Sequence, residues 1–188
     1  MPYSWKSYFV VQADYQHWAN EALFAALDHL NGDALVADQG LAFGSIHHTV
    51  DHLLLTSRLW RARLRRETPV VDDKVIHYPD WRELKSVLRR ETRKLQSWLE
   101  AQPDELFEAR IRFDGSDGRL QELWVRDILV HLFTHAVHHR GQISAIAARL
   151  GAPSPELGFD SYKRQIDKLM SNVQRESPGL IPVPDFEP

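Results

Sequence analysis

The stretch LWVRDILVHLFTHAVHHRGQISAIAARL, residues 123–150, constrains the fold of this chain more than any other segment. Its apolar residues recur at helical spacing, with no proline inside, and Gly151 and Pro153 follow it. That pattern predicts one long amphipathic helix over about 124–149, whose apolar stripe must be buried against other elements. The same helix carries His131, His135, His138 and His139, four of the ten histidines in the chain.

Three further segments have the same character. Residues 3–30 read as a first helix, with Asn31-Gly32 as its stop, and 31–42 as a loop. A second helix begins at Ser45, a good N-cap, and runs to about Glu67, with Pro69 at the exit and Asp72-Asp73 in the loop beyond. A third covers 81–101, capped by Asp80 and followed by Pro103. Between the third and fourth helices, Ile111 and Phe113 alternate with charged residues, and Asp114-Gly115 and Asp117-Gly118 signal turns. A short β-hairpin is expected over 107–122, with a plain loop as the alternative. A short C-terminal helix is expected over 160–172. The fold class is therefore all-α, a four-helix bundle, with one domain over 1–176 and a proline-rich tail over 177–188.

Composition narrows the function. There is no cysteine, which excludes disulfides, thiolate metal sites and a cysteine nucleophile. The net charge of −3 gives no reason to expect nucleic acid or an anionic membrane as partner. No run of eighteen apolar residues exists, and the N-terminus lacks the pattern of a signal peptide, so a cytoplasmic protein is expected.

The histidines carry the chemistry. At about 100° per residue, Val125, Leu132, Ala136, Ile143 and Ala147 centre the apolar stripe of the fourth helix. His135 and His139, four apart on one face, sit at the edge of that stripe and point inward. His131 and His138 lie further round, towards the rim. On the second helix, Ile46, Leu53, Trp60 and Leu64 form the core side, and His47, Asp51, Arg58 and Arg65 the polar side. His52 falls in the apolar arc beside Thr49 and Thr56. His48 is nearer the boundary, and phase prefers His52 without excluding it. Three inward imidazoles suit a borderline divalent ion such as zinc, nickel, iron or manganese. Three protein ligands leave one position open for water or substrate, the pattern of a catalytic site.

The run His135-Ala-Val-His-His139-Arg140-Gly141-Gln142 resembles the hallmark H-x-x-x-H-R-G-Q of the DinB/YfiT-like family of metal-dependent enzymes. A second signature of that family, a serine, a histidine seven residues on and an aromatic eight further, is matched by Ser45, His52 and Trp60. Trp18, Ala19 and Asn20 resemble its first helix, and the resemblance covers roughly residues 5–150. It implies a four-helix bundle with a three-histidine metal site on His52, His135 and His139, and so selects His52 over His48. It also implies a small-molecule substrate and a homodimer. Some relatives are S-transferases working with low-molecular-weight thiols and others hydrolases. The alternative is a non-catalytic metal-binding stress-response protein, favoured by the absence of an obvious acid or base beside the site; the damage-inducible label of the family is historical.

Several neighbouring residues have two readings. Gln142 lies near the inward histidines by phase and either hydrogen-bonds a ligand imidazole or ties helices together. Arg140 lies away from the stripe and either bridges helices or meets an anionic substrate. Gly141 is expected where a neighbouring helix packs closely. The basic run 58–66 reads as a solvated helix end, Trp60 and Trp124 as core, and Asp51 and Asp127 as residues of the outer faces, weak as general bases.

Overall fold

The computed structural model describes residues 4–68, 75–115 and 118–176. Pro69, Asp72, Asp73, Asp117 and the tail over 177–188 lie outside the described residues. Two compact units are distinguished, one up to Pro155 and one from Glu156 on.

The first unit contains the bundle. Helix α1 (Trp5–Leu27) opens on a capping box at Ser4 and Ser7. A short helix α2 (Gly32–Val36) follows where a loop was expected; the Asn31 side chain accepts from the Ala34 N–H and starts it, and Leu35 is buried. Helix α3 (Ile46–Leu64) is capped by Ser45, and α4 (Trp81–Glu100) by Asp80. A 3₁₀ turn (Asp104–Glu108), unforeseen in the sequence, then inserts Phe107, which is fully buried and stacks on Phe9.

The hairpin is present as β1 (Arg110–Asp114) and β2 (Leu120–Trp124), antiparallel with Arg110 opposite Trp124. Ile111 and Phe113 point inward, as their alternation predicts. Trp124 ends β2 and directly precedes α5 (Val125–Arg149), whose first N–H donates to the Ala109 carbonyl at 2.9 Å. The hairpin thus takes the place of a side-chain cap on α5.

Helix α1 packs on α4 and α5, and α3 packs on the same two helices. The order around the bundle is therefore α1–α4–α3–α5, with α1 and α3, consecutive long helices, on the diagonal. The core runs from Phe9 and Ala13 through Leu95, Leu99 and Phe107 to Val125, Leu129 and Phe133. Electrostatic ties sit at the edges of the packed pairs. Glu91 of α4 is buried and pairs with Arg61 of α3, and Arg89 of α4 makes a two-pronged bond to Glu21 of α1.

Two expectations for α3 are corrected here. Asp51 and His47 do not face solvent. The Asp51 carboxylate is wholly buried and accepts the His77 N–H at 2.9 Å, while His47 Nε2 meets the Tyr78 carbonyl at 2.7 Å. The segment before α4 folds over that side of α3 and buries both, which helical phase alone could not register. The basic run 58–66 is likewise less free than a solvated end. Arg63 stacks between the Trp60 and Phe113 rings, and its Nη2 donates to the Asp114 carbonyl.

The second unit holds helix α6 (Phe159–Glu176), longer than the 160–172 expected, with an Arg164–Asp160 pair one turn apart. Among the described residues no helix is long and apolar enough to cross a membrane.

Candidate metal centre

His52 stands midway along α3, and His135 and His139 stand one turn apart on α5, the helix that packs against it. Their Nε2 atoms converge. His52 Nε2 and His139 Nε2 lie 3.3 Å and 3.1 Å from His135 Nε2. The ring centroids are 4.4–5.1 Å apart. Among the described residues this is the only group of three or more His, Cys, Asp or Glu side chains able to hold a metal ion, and no carboxylate belongs to it.

Hydrogen bonding alone leaves this triangle unsatisfied. A neutral imidazole has one N–H and one lone pair. His139 Nδ1 lies 2.8 Å from Gln142 Oε1, an acceptor, so Nδ1 carries the proton and the Nε2 lone pair faces the other two rings. Burial pushes the His52 and His135 pKa values down to about 4, assisted by the neighbouring imidazoles, and lowers that of His139 as well. At neutral pH the three rings are uncharged, with nitrogen atoms crowded on one point. The spacing suits a shared cation: two nitrogen ligands at about 2.0–2.1 Å from a tetrahedral zinc ion stand about 3.3 Å apart. The donor set and its spacing fit a divalent ion.

The surroundings are mixed. The Phe43 ring stacks on His52 at 3.8 Å and meets His48 and His139 edge-on at 5.7 Å, closing one side of the group. Thr56 Oγ1 lies 3.2 Å from His52 Nε2. His131 and His138 are exposed at the rim, as phase predicts, with rings 5.6 Å from His135 and 5.1 Å from His139. His48 stays outside the triad. Asp127 is exposed on the outer face of α5.

The residues beside the triad also resolve. Gln142 touches a triad imidazole, the first of its two readings. Arg140 is buried rather than turned away from the core; its Nη1 donates to Asn20 Oδ1 at 3.1 Å, and among the described residues no carboxylate pairs with it. Gly141 does not mark a close helix approach, because a Cβ there would meet nothing within 4 Å. Phe43 and Gln16 were not singled out in the sequence, and Asn20 was noted only for its resemblance to the family's first helix. The signal was available for Gln16 and Asn20: both fall on the buried side of α1, beside Ala13 and Ala19.

The sequence model of the DinB family matches residues 5–170. The chain belongs to the DinB family. Protein DinB of Bacillus subtilis (strain 168) is 21% identical over 157 residues, which cover 79% of this chain and 90% of that protein. Among solved structures, YfiT from Bacillus subtilis superposes with a TM-score of 0.54 at 15% identity, over 79% of this chain and 89% of YfiT. YfiT is described as a probable metal-dependent hydrolase with an unusual four-helix bundle topology. The diagonal placement of α1 and α3, consecutive long helices, sets this DinB-family chain apart from a simple up-and-down bundle.

Proposed function

We propose that His52, His135 and His139 hold one divalent metal ion, zinc, nickel, iron or manganese, and that the protein is a metal-dependent enzyme acting on a small molecule, with hydrolysis the preferred reaction. The observation that carries this reading is the convergence of three Nε2 atoms from two facing helices, those of His52 and His139 lying 3.3 Å and 3.1 Å from that of His135, with the outer nitrogen of His139 held by Gln142. A structural zinc site is filled by four protein ligands, whereas three leave room for chemistry. The hydrolytic form is supported by the description of YfiT.

When bound, the ion supplies Lewis acidity, which makes hydroxide or thiolate available near neutral pH. The chain itself does the rest. Gln142 orients the His139 ring and keeps its proton on Nδ1. Phe43 keeps water from one face of His52. The exposed His131 and His138 place imidazoles at the rim, where they can accept or pass on a proton. Transfer of a low-molecular-weight thiol to an electrophile is the second reading, and it uses the same three histidines.

The test is a parallel assay of ester, amide and phosphoester hydrolysis and of thiol consumption with electrophiles, on protein loaded with each metal and on His135→Ala. Turnover that follows the metal and falls to background in the variant supports an enzyme, and the responding panel tells hydrolase from transferase. Equal rates from both proteins end the enzyme reading. One equivalent of metal with no turnover in any assay favours the non-catalytic stress-response alternative. Light scattering during size exclusion measures the homodimer that belongs to this proposal.

A further inference from the structure

Behind the triad, inside the bundle, lies a cavity of ≈ 30 Å³, room for about two water-sized groups. Its wall includes Gln16 and Asn20 from α1, Thr56 and Ser57 from α3, and Arg140 from α5. Arg140 is 2% exposed and Gln16 is 5% exposed. The Arg140 Nη2 atom is buried with no hydrogen-bond partner among the described residues, and so are both Gln16 amide atoms. Among the described residues the rest of the guanidinium is held by Asn20 Oδ1 and Tyr15, neither of them a carboxylate.

An arginine remains charged in any protein interior. A buried charge without a counter-charge is among the most costly arrangements in a folded chain, and water can complete its hydrogen bonds without neutralising it. Here an unneutralised guanidinium and an unpartnered amide face one small space whose remaining wall is mostly apolar, with Leu53, Leu88, Leu132 and Phe133 among its residues, so little else there can compensate the charge. We propose that this cavity binds a compact monovalent anion, a halide or a carboxylate group, held by Arg140 and Gln16. Gln16 Nε2 and Arg140 Nη2 supply the donors, and the Ser57 hydroxyl is on the same wall. The site requires no metal, since the guanidinium needs its counter-charge whether or not the triad is loaded. It nevertheless borders the triad, because His135 forms part of the same wall and Thr56 Oγ1 lies 3.2 Å from His52 Nε2. A substrate carboxylate seated there would place the remainder of that molecule beside the three histidines.

The experiment uses chelated full-length protein, so that failure here is separable from failure of the metal reading. Melting temperature is compared in gluconate, chloride, formate and acetate at matched ionic strength, with bromide-soaked wild-type crystals examined by anomalous scattering. At a tenfold excess over Kd, a bound anion raises Tm by about 3–6 °C for a chain of this size. That rise is expected over gluconate in the wild type, is lost in Arg140→Met and is reduced in Gln16→Leu, with bromide density beside Arg140. A larger effect from formate and acetate assigns the place to a substrate carboxylate, and a larger effect from chloride assigns it to a halide counter-ion. Equal Tm in all four salts, a rise that requires metal, or bromide at surface positions only overturns the proposal. If Arg140→Met does not fold, Gln16→Leu and the wild-type crystal decide.

Discussion

The side chain of Gln142 acts on the candidate metal centre without belonging to the triad. Its Oε1 holds the His139 ring at 2.8 Å and sets the tautomer that exposes the Nε2 lone pair. Outer partners of this kind are worth about 10–100-fold in metal affinity. Gln142→Leu should therefore weaken zinc binding by about that factor while leaving the stoichiometry at one, as measured by competition with a chromophoric chelator. Unchanged affinity would mean that the ring is oriented by packing alone. The imidazoles also set a pH dependence. Burial holds His52 and His135 neutral down to about pH 4, whereas in the unfolded chain they titrate near the ordinary histidine value. Between those values the unfolded state binds more protons, so stability is fully present above about pH 6.5 and falls as pH drops towards 4. Metal-free protein should show a lower urea midpoint at pH 4.5 than at pH 7, and His52→Phe should flatten that difference.

At the scale of elements, α5 was the most legible part of the chain. Its periodicity is long and unbroken, both ends carry stop or turn signals, and the positions of its four histidines follow from phase alone. Arg140 and Gly141 were less legible because a wheel ranks residues by angle and not by what a neighbouring helix offers. Arg140 is taken inward by Asn20 on α1, and Gly141 faces open space. A glycine in an unobstructed helix interior is a stability cost with no packing return. Gly141→Ala should raise stability by about 0.5–1 kcal/mol without changing metal affinity, measured by urea denaturation and metal titration. A destabilised variant would reveal a close approach on that face. The missed elements, α2 and the 3₁₀ turn, are five residues each, too short to present a period.

At the scale of the molecule, the candidate ion would clasp the middle of α3 to α5, an interface already formed by packing. A ligand that binds only the folded state stabilises it by mass action, about 4 kcal/mol at a thousandfold excess over Kd. Loading with zinc should raise Tm by roughly 8–16 °C over chelated protein, and His139→Ala should abolish the rise. A chelated protein that melts at the same temperature as the loaded one would deny the clasp.

The sequence by itself determined the four long helices, pointed to the hairpin and set the inward phase of His52, His135 and His139, because periodicity and caps are local and can be read along one chain. The tertiary structure alone decided that α3 faces α5 while α1 and α3 lie on the diagonal, since the order of packing depends on which apolar stripes meet in space. That order brings three nitrogen atoms to one point, buries Asp51 beneath the segment before α4, and encloses Arg140 with no carboxylate paired to it among the described residues. Each of these is a relation between segments far apart in the chain. No single helix carries the information that its partner will be there.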